Sequence, residues 1–125
     1  MEILSSRVLL RPVYPARTRE FYAETLGLAV YREFPGGTVF FTGNGLLEVS
    51  GHAGDEGSRA GLVLWLQVRE LSDAVAELAA KGVPILRDPR REPWGLHEAW
   101  VADPDGVRIV LVQVPDDHPL RSDSR

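Results

Sequence analysis

Apolar residues along the chain fall into short runs that change period, and the sequence of changes occurs twice. Residues 7–11 read as an extended segment closed by Pro12 and Pro15. Residues 16–26 then carry Thr18, Phe21, Tyr22, Thr25 and Leu26 at helical spacing, with Gly27 where a helix C-cap is expected. Alternation and turn residues predict strands over 28–34, 38–42 and 46–50, divided by Pro35-Gly36-Gly37 and Gly43-Asn44-Gly45. Residues 51–60 are rich in glycine and charge and read as a linker. The order then begins again. A strand is predicted over 61–68, then a helix over 71–81 with Leu71, Ala74, Val75, Leu78 and Ala79 on one face, and Gly82 as its stop. A short strand over 83–87 and a proline-broken loop over 88–94 lead to a hairpin, strands 98–102 and 107–114 around the turn Asp103-Pro104-Asp105-Gly106. The last strand is too continuously apolar to have one wet face, so both its faces must be covered.

Each half thus has the order βαβββ and is too small to bury its own sheet face alone. The expected fold is α+β: two βαβββ modules, about residues 5–51 and 60–115, forming a curved mixed sheet around a cavity with the helices outside. The two modules are expected to make one domain over residues 1–115, followed by a flexible tail over 116–125.

A length of 125 residues with 44% hydrophobic composition suits one core. The longest apolar run is well short of a membrane span, and the N-terminal residues lack the pattern of a secretory signal. A cytoplasmic protein with no membrane partner is expected. The chain has no cysteine, which excludes disulfides, thiolate metal sites and cysteine nucleophiles. A formal net charge of −4 with both signs interspersed disfavours nucleic acid and leans towards a cationic ligand. His52, His97 and His118 fall on surface or tail positions, and neither a Ser/His/Asp set nor a phosphate-cradling glycine loop is present.

Four features in this order resemble the vicinal oxygen chelate superfamily, which includes glyoxalase I, extradiol dioxygenases, fosfomycin resistance thiol transferases and bleomycin resistance proteins. They are Thr18-Arg19-Glu20-Phe21-Tyr22 with Leu26-Gly27, the helix before Gly82, Pro93-Trp94-Gly95, and Asp103-Pro104-Asp105-Gly106. The resemblance spans roughly residues 7 to 114 and implies paired modules, a cavity and a homodimer. It places the family's four metal-ligand positions on Arg7, Glu48, Val63 and Val110. One carboxylate, two valines and a guanidinium do not make a divalent-cation site, so no metal and no cofactor is expected.

With those positions facing inward, alternation turns Arg7, Leu9, Arg11, Leu46, Glu48 and Ser50 the same way, along with Val63, Trp65, Gln67, Glu98, Trp100, Arg108, Val110 and Val112. Trp94, in the loop before the hairpin, is a candidate lip over the pocket, with a capping role for the sheet end as the leading alternative. The candidate ligand-binding residues are therefore Arg7, Leu9, Arg11, Glu48, Val63, Trp65, Trp94, Glu98, Trp100, Arg108 and Val110. Apolar walls, two inward indoles and a few charges fit a small-molecule site. Plain core packing of the tryptophans and an Arg–Glu48 ion pair are the competing readings. The expectation is a binding protein that resembles the bleomycin resistance type and sequesters an aromatic or amphipathic, antibiotic-like compound unchanged. The rival is a lyase, isomerase or dioxygenase of the glyoxalase type with Glu48 as its base or an unrecognised metal site; a protein-binding module is the third possibility.

Overall fold

A computed structural model describes residues 1–53 and 61–120. The part of the expected linker from 54 to 60 and the last five residues of the expected tail lie outside the described residues. The described chain forms two compact units, one from the first half together with Asp103–Gly106, the other from Leu62–Ala102 and the chain after Val107. Each is built around a four-stranded mixed sheet, as the repeated βαβββ order requires.

In the first unit the strands are β1 (Val8–Leu10), β2 (Val30–Phe34), β3 (Gly37–Thr42) and β4 (Gly45–Ser50), in spatial order β1-β4-β3-β2. β1 runs parallel to β4, and the other pairs are antiparallel. Helix α1 (Pro15–Glu20) continues as a wider π-helical turn over Phe21–Thr25. Pro15 suits its first turn, where the missing N–H has no partner to lose. Tyr22, Phe40, Leu47, Val49 and Leu10 form the buried core, with Thr18 closed in beside them.

The second unit repeats this plan with β5 (Val63–Gln67), α2 (Leu71–Ala80), β6 (Arg87–Arg91), β7 (His97–Ala102) and β8 (Arg108–Gln113), in the order β5-β8-β7-β6. Gly27 and Gly82, each just past its helix, have φ of 70° and 82°, left-handed values that glycine alone adopts without a Cβ penalty. Glu70 gives α2 no side-chain cap; instead Leu71 N–H donates to Gln113 Oε1 of β8 at 2.7 Å.

β8 is covered on both sides, as its composition demanded. Ile109 and Leu111 are buried on one face; on the other, Val110 and Val112 cluster with Leu96, Val114 and the partly buried Trp100. The edge strand differs from expectation. Residues 83–86, expected to be strand, lie outside it, and β6 runs through Arg87–Arg91, most of which was expected to be loop. Pro89 disguised it, but an edge strand tolerates proline, and the register shifts between Arg87 and Arg90.

The Asp103–Gly106 turn closes with the Gly106 N–H donating to the Asp103 carbonyl at 3.0 Å. Its carboxylates then work within the first unit. Asp103 Oδ1 accepts the Asp105 N–H, Asp103 Oδ2 accepts the Tyr22 hydroxyl at 2.8 Å, and Asp105 Oδ1 accepts the Val13 N–H. Burial, reinforced by the Asp103 charge and bond, raises the Tyr22 pKa far above its ordinary 10.0. Because the folded value is the higher one, this contribution to stability is complete below about pH 10 and lost as pH rises beyond it.

Two outcomes follow for urea denaturation. Tyr22→Phe, which leaves Asp103 without its buried hydroxyl donor, should lower stability by about 1–3 kcal/mol at neutral pH. Above about pH 10 the parent should lose stability with rising pH more steeply than the variant; equal slopes would contradict this account of Tyr22.

Candidate functional site

Register builds the candidate site in the second unit. Trp65 of β5 lies opposite Val110 of β8, Val110 opposite Trp100 of β7, and Trp100 opposite Arg87 of β6. Directly opposed residues share a sheet face, so one row crosses all four strands as Trp65, Val110, Trp100, Arg87. The neighbouring rows add Val63 with Arg108 on one side and Gln67, Val112 and Glu98 on the other. Val63 is 47% exposed and Trp65 49%, whereas Val110 between the tryptophans is buried. The face is therefore an open, apolar platform at β5 that rises into a charged, aromatic wall at β7 and β6.

The wall is built around the Trp100 ring. The Arg87 guanidinium carbon lies 3.9 Å from the ring centroid and that of Arg108 4.4 Å, the two coming from the strands on either side of β7. Such cation–π contacts contribute about 0.5–2 kcal/mol each and hold the indole in one orientation. Arg87 Nη2 also forms an ion pair with Glu92, which is buried and takes a longer contact from Arg90 Nε at 3.5 Å. Desolvation lowers the Arg87 pKa, and the positive charges of Arg90 and Arg108 lower it further against the opposing pull of Glu98. Glu98 is buried, its Oε2 accepting the Trp94 indole N–H at 2.7 Å. That bond ties the exposed Trp94 to the carboxylate.

His118 holds this loop. Leu120 N–H donates to Nδ1, so the ring hydrogen sits on Nε2 and donates to the Trp94 carbonyl at 3.0 Å. The expected mobile tail thus supplies a bond to the site's rim.

Of the residues singled out in the sequence, Val63, Trp65, Trp94, Glu98, Trp100, Arg108 and Val110 come together on this one face. Arg7, Leu9, Arg11 and Glu48 belong to the first unit. There Arg7 Nη1 donates to Glu48 Oε1 at 2.9 Å, Leu9 lies opposite Glu48 in register, and Arg11 is exposed beyond the end of β1. Arg87 and Glu92 were missed. The available signal was the cluster Arg87, Arg90 and Arg91 before Pro93, which gains meaning only once Pro89 is accepted within a strand.

The first unit also has a groove of about 460 Å³ beside Arg19, Glu33, Pro35 and Thr38. Its one cation is engaged internally, Arg19 pairing with Glu33 and donating to Thr38 Oγ1.

The four positions that the resemblance assigns to metal ligands do not suit a divalent ion. Glu48 is the one donor among Arg7, Glu48, Val63 and Val110, and the Arg7 guanidinium already occupies its Oε1. A cation brought to that carboxylate would meet a fixed positive charge and no second ligand from these positions. Among the described residues no three His, Cys, Asp or Glu side chains gather elsewhere in a metal-binding group.

No curated protein matches the chain. Solved structures do. An integron cassette protein from the mobile metagenome of V. cholerae superposes with a TM-score of 0.71 at 21% identity, over 92% of this chain and 98% of that one. TioX from Micromonospora gives 0.70 at 21% identity, over 88% and 95%. A glyoxalase/bleomycin resistance protein/dioxygenase from Nocardioides gives 0.75 at 16% identity, over 95% and 89%. At such identities the likeness concerns the fold alone. The family model of the Glyoxalase/Bleomycin resistance protein/Dioxygenase superfamily matches residues 6–111, so the repeated βαβββ plan has a plain assignment: the chain belongs to that superfamily.

Proposed function

We propose that the protein is a small-molecule binding protein that holds an aromatic or amphipathic compound on the sheet face of its second unit without changing it chemically. The observation that carries this reading is the row Trp65, Val110, Trp100, Arg87: an exposed indole, an apolar floor and an indole fixed between cations, the mixture of apolar area and a few placed polar groups that ligand sites use. Holding a compound requires affinity alone, and this face supplies stacking and burial. The carboxylates on it are already committed, Glu92 to arginine and Glu98 to the Trp94 indole. Glu48, the base in the enzymatic alternative, is likewise paired with Arg7. A homodimer, which the resemblance implies, belongs to the same reading.

Titration with the neutral fluorophore N-phenylnaphthylamine tests it. The probe should bind saturably, quench tryptophan emission and be recovered intact by chromatography. Trp65→Ala should weaken binding about tenfold through lost stacking and burial. The same change should alter stability by less than about 1 kcal/mol, since half the side chain is exposed. Unsaturable binding, or affinity indifferent to Trp65, would remove the site.

Metal analysis provides an independent check. Purified protein should carry substoichiometric divalent metal, and dialysis against a chelator should leave probe affinity unchanged. A full equivalent of tightly held metal would favour the enzyme instead.

A further inference from the structure

The second unit's sheet face carries more hydrogen-bond donors than it answers. Among the described residues, the buried side-chain nitrogen and oxygen atoms without a hydrogen-bond partner are all nitrogens: Arg87 Nε, Arg87 Nη2 and Trp100 Nε1. Arg87 Nη2 has Glu92 as an ion-pair partner, which leaves Arg87 Nε and the Trp100 indole N–H unanswered. Buried donors are almost always satisfied, and two orphans on residues opposed in one register row call for an acceptor.

Charge points the same way. Arg108 is exposed and pairs with no carboxylate among the described residues, its guanidinium resting on the Trp100 ring. Glu92 answers Arg87 and Arg90, and Glu98 is turned to Trp94. Arg87, Arg90 and Arg108 therefore exceed the two carboxylates beside them, and the mutual repulsion contributes to the lowered Arg87 pKa. The chain's overall acidity favoured a cationic ligand; the local field on this face opposes one.

We propose that this site selects a planar compound bearing an oxyanion, a carboxylate or sulfonate, with its ring on Trp65 and its oxygens received by Arg108 and the unanswered N–H groups of Trp100 and Arg87. The inference rests on the small-molecule reading above and adds the charge of the ligand. A carboxylate has several lone pairs for more than one donor and neutralises the uncompensated arginine. A neutral amide of the same shape offers one acceptor oxygen and no charge to set against the arginines, and an ammonium would add a cation to a cationic wall.

Three compounds with one ring system separate these cases: naphthoate, naphthamide and naphthylmethylammonium, titrated calorimetrically at low salt. Naphthoate should bind about tenfold or more tightly than naphthamide, the ammonium should bind worst, and added salt should weaken naphthoate most. Arg108→Gln should erase most of the difference between naphthoate and naphthamide, and Arg108→Lys should restore part of it. The Trp100 indole proton resonance should shift with naphthoate more than with naphthamide. Equal affinity for naphthoate and naphthamide, or preference for the ammonium, would overturn the oxyanion inference while leaving a binding site. Failure of all three to bind would overturn both.

Discussion

The register of β8 against β5 and β7 is the constraint on which the candidate site depends. Side chains alternate along a strand, so a slip of one residue would turn Val110 and Val112 towards the helix and Ile109 and Leu111 the other way. It would also part Trp65 from Trp100, which share one row only because each lies opposite Val110. The tight Asp103–Gly106 turn sets the antiparallel register, and the burial of both faces of β8 makes any other register costly. A strand with no wet face is thus what aligns the aromatic and charged residues into a row.

The two units show how one plan takes on different chemistry. In the first, the row equivalent by register to Trp65, Val110, Trp100, Arg87 reads Leu9, Glu48, Val39, Arg32. Its carboxylate is neutralised by Arg7, and Val39 is fully buried. In the second unit the corresponding positions carry indoles where the first has leucine and valine, and an apolar floor where it has glutamate. The carboxylate in the first unit's row is paired with an arginine, whereas Arg108 beside the second unit's row has no carboxylate partner among the described residues.

Much of the arrangement was readable from spacing. Helix stops at Gly27 and Gly82, turn residues before β3 and β8, and the continuous apolar run of β8 led to two βαβββ units because each signal is local and repeats in order. Alternation also grouped Val63, Trp65, Glu98, Trp100, Arg108 and Val110 on one side. β6 was hidden because Pro89 reads as a breaker, and only its edge position makes proline acceptable there. Arg87 and Glu92 were hidden with it. The bond from His118 to the Trp94 carbonyl spans a separation that no short window of sequence sees.

By itself the sequence determined the elements, their order, their repetition and the parity of each strand residue, since these follow from periodicity and turn chemistry over a few positions. The tertiary structure alone decided the partners: Tyr22 with Asp103, Arg7 with Glu48, Arg87 and Arg108 on Trp100, and Trp94 with Glu98. Hydrogen bonds and cation–π contacts act over a few ångströms, so which donors are answered and which stay open becomes defined only when distant strands are brought side by side.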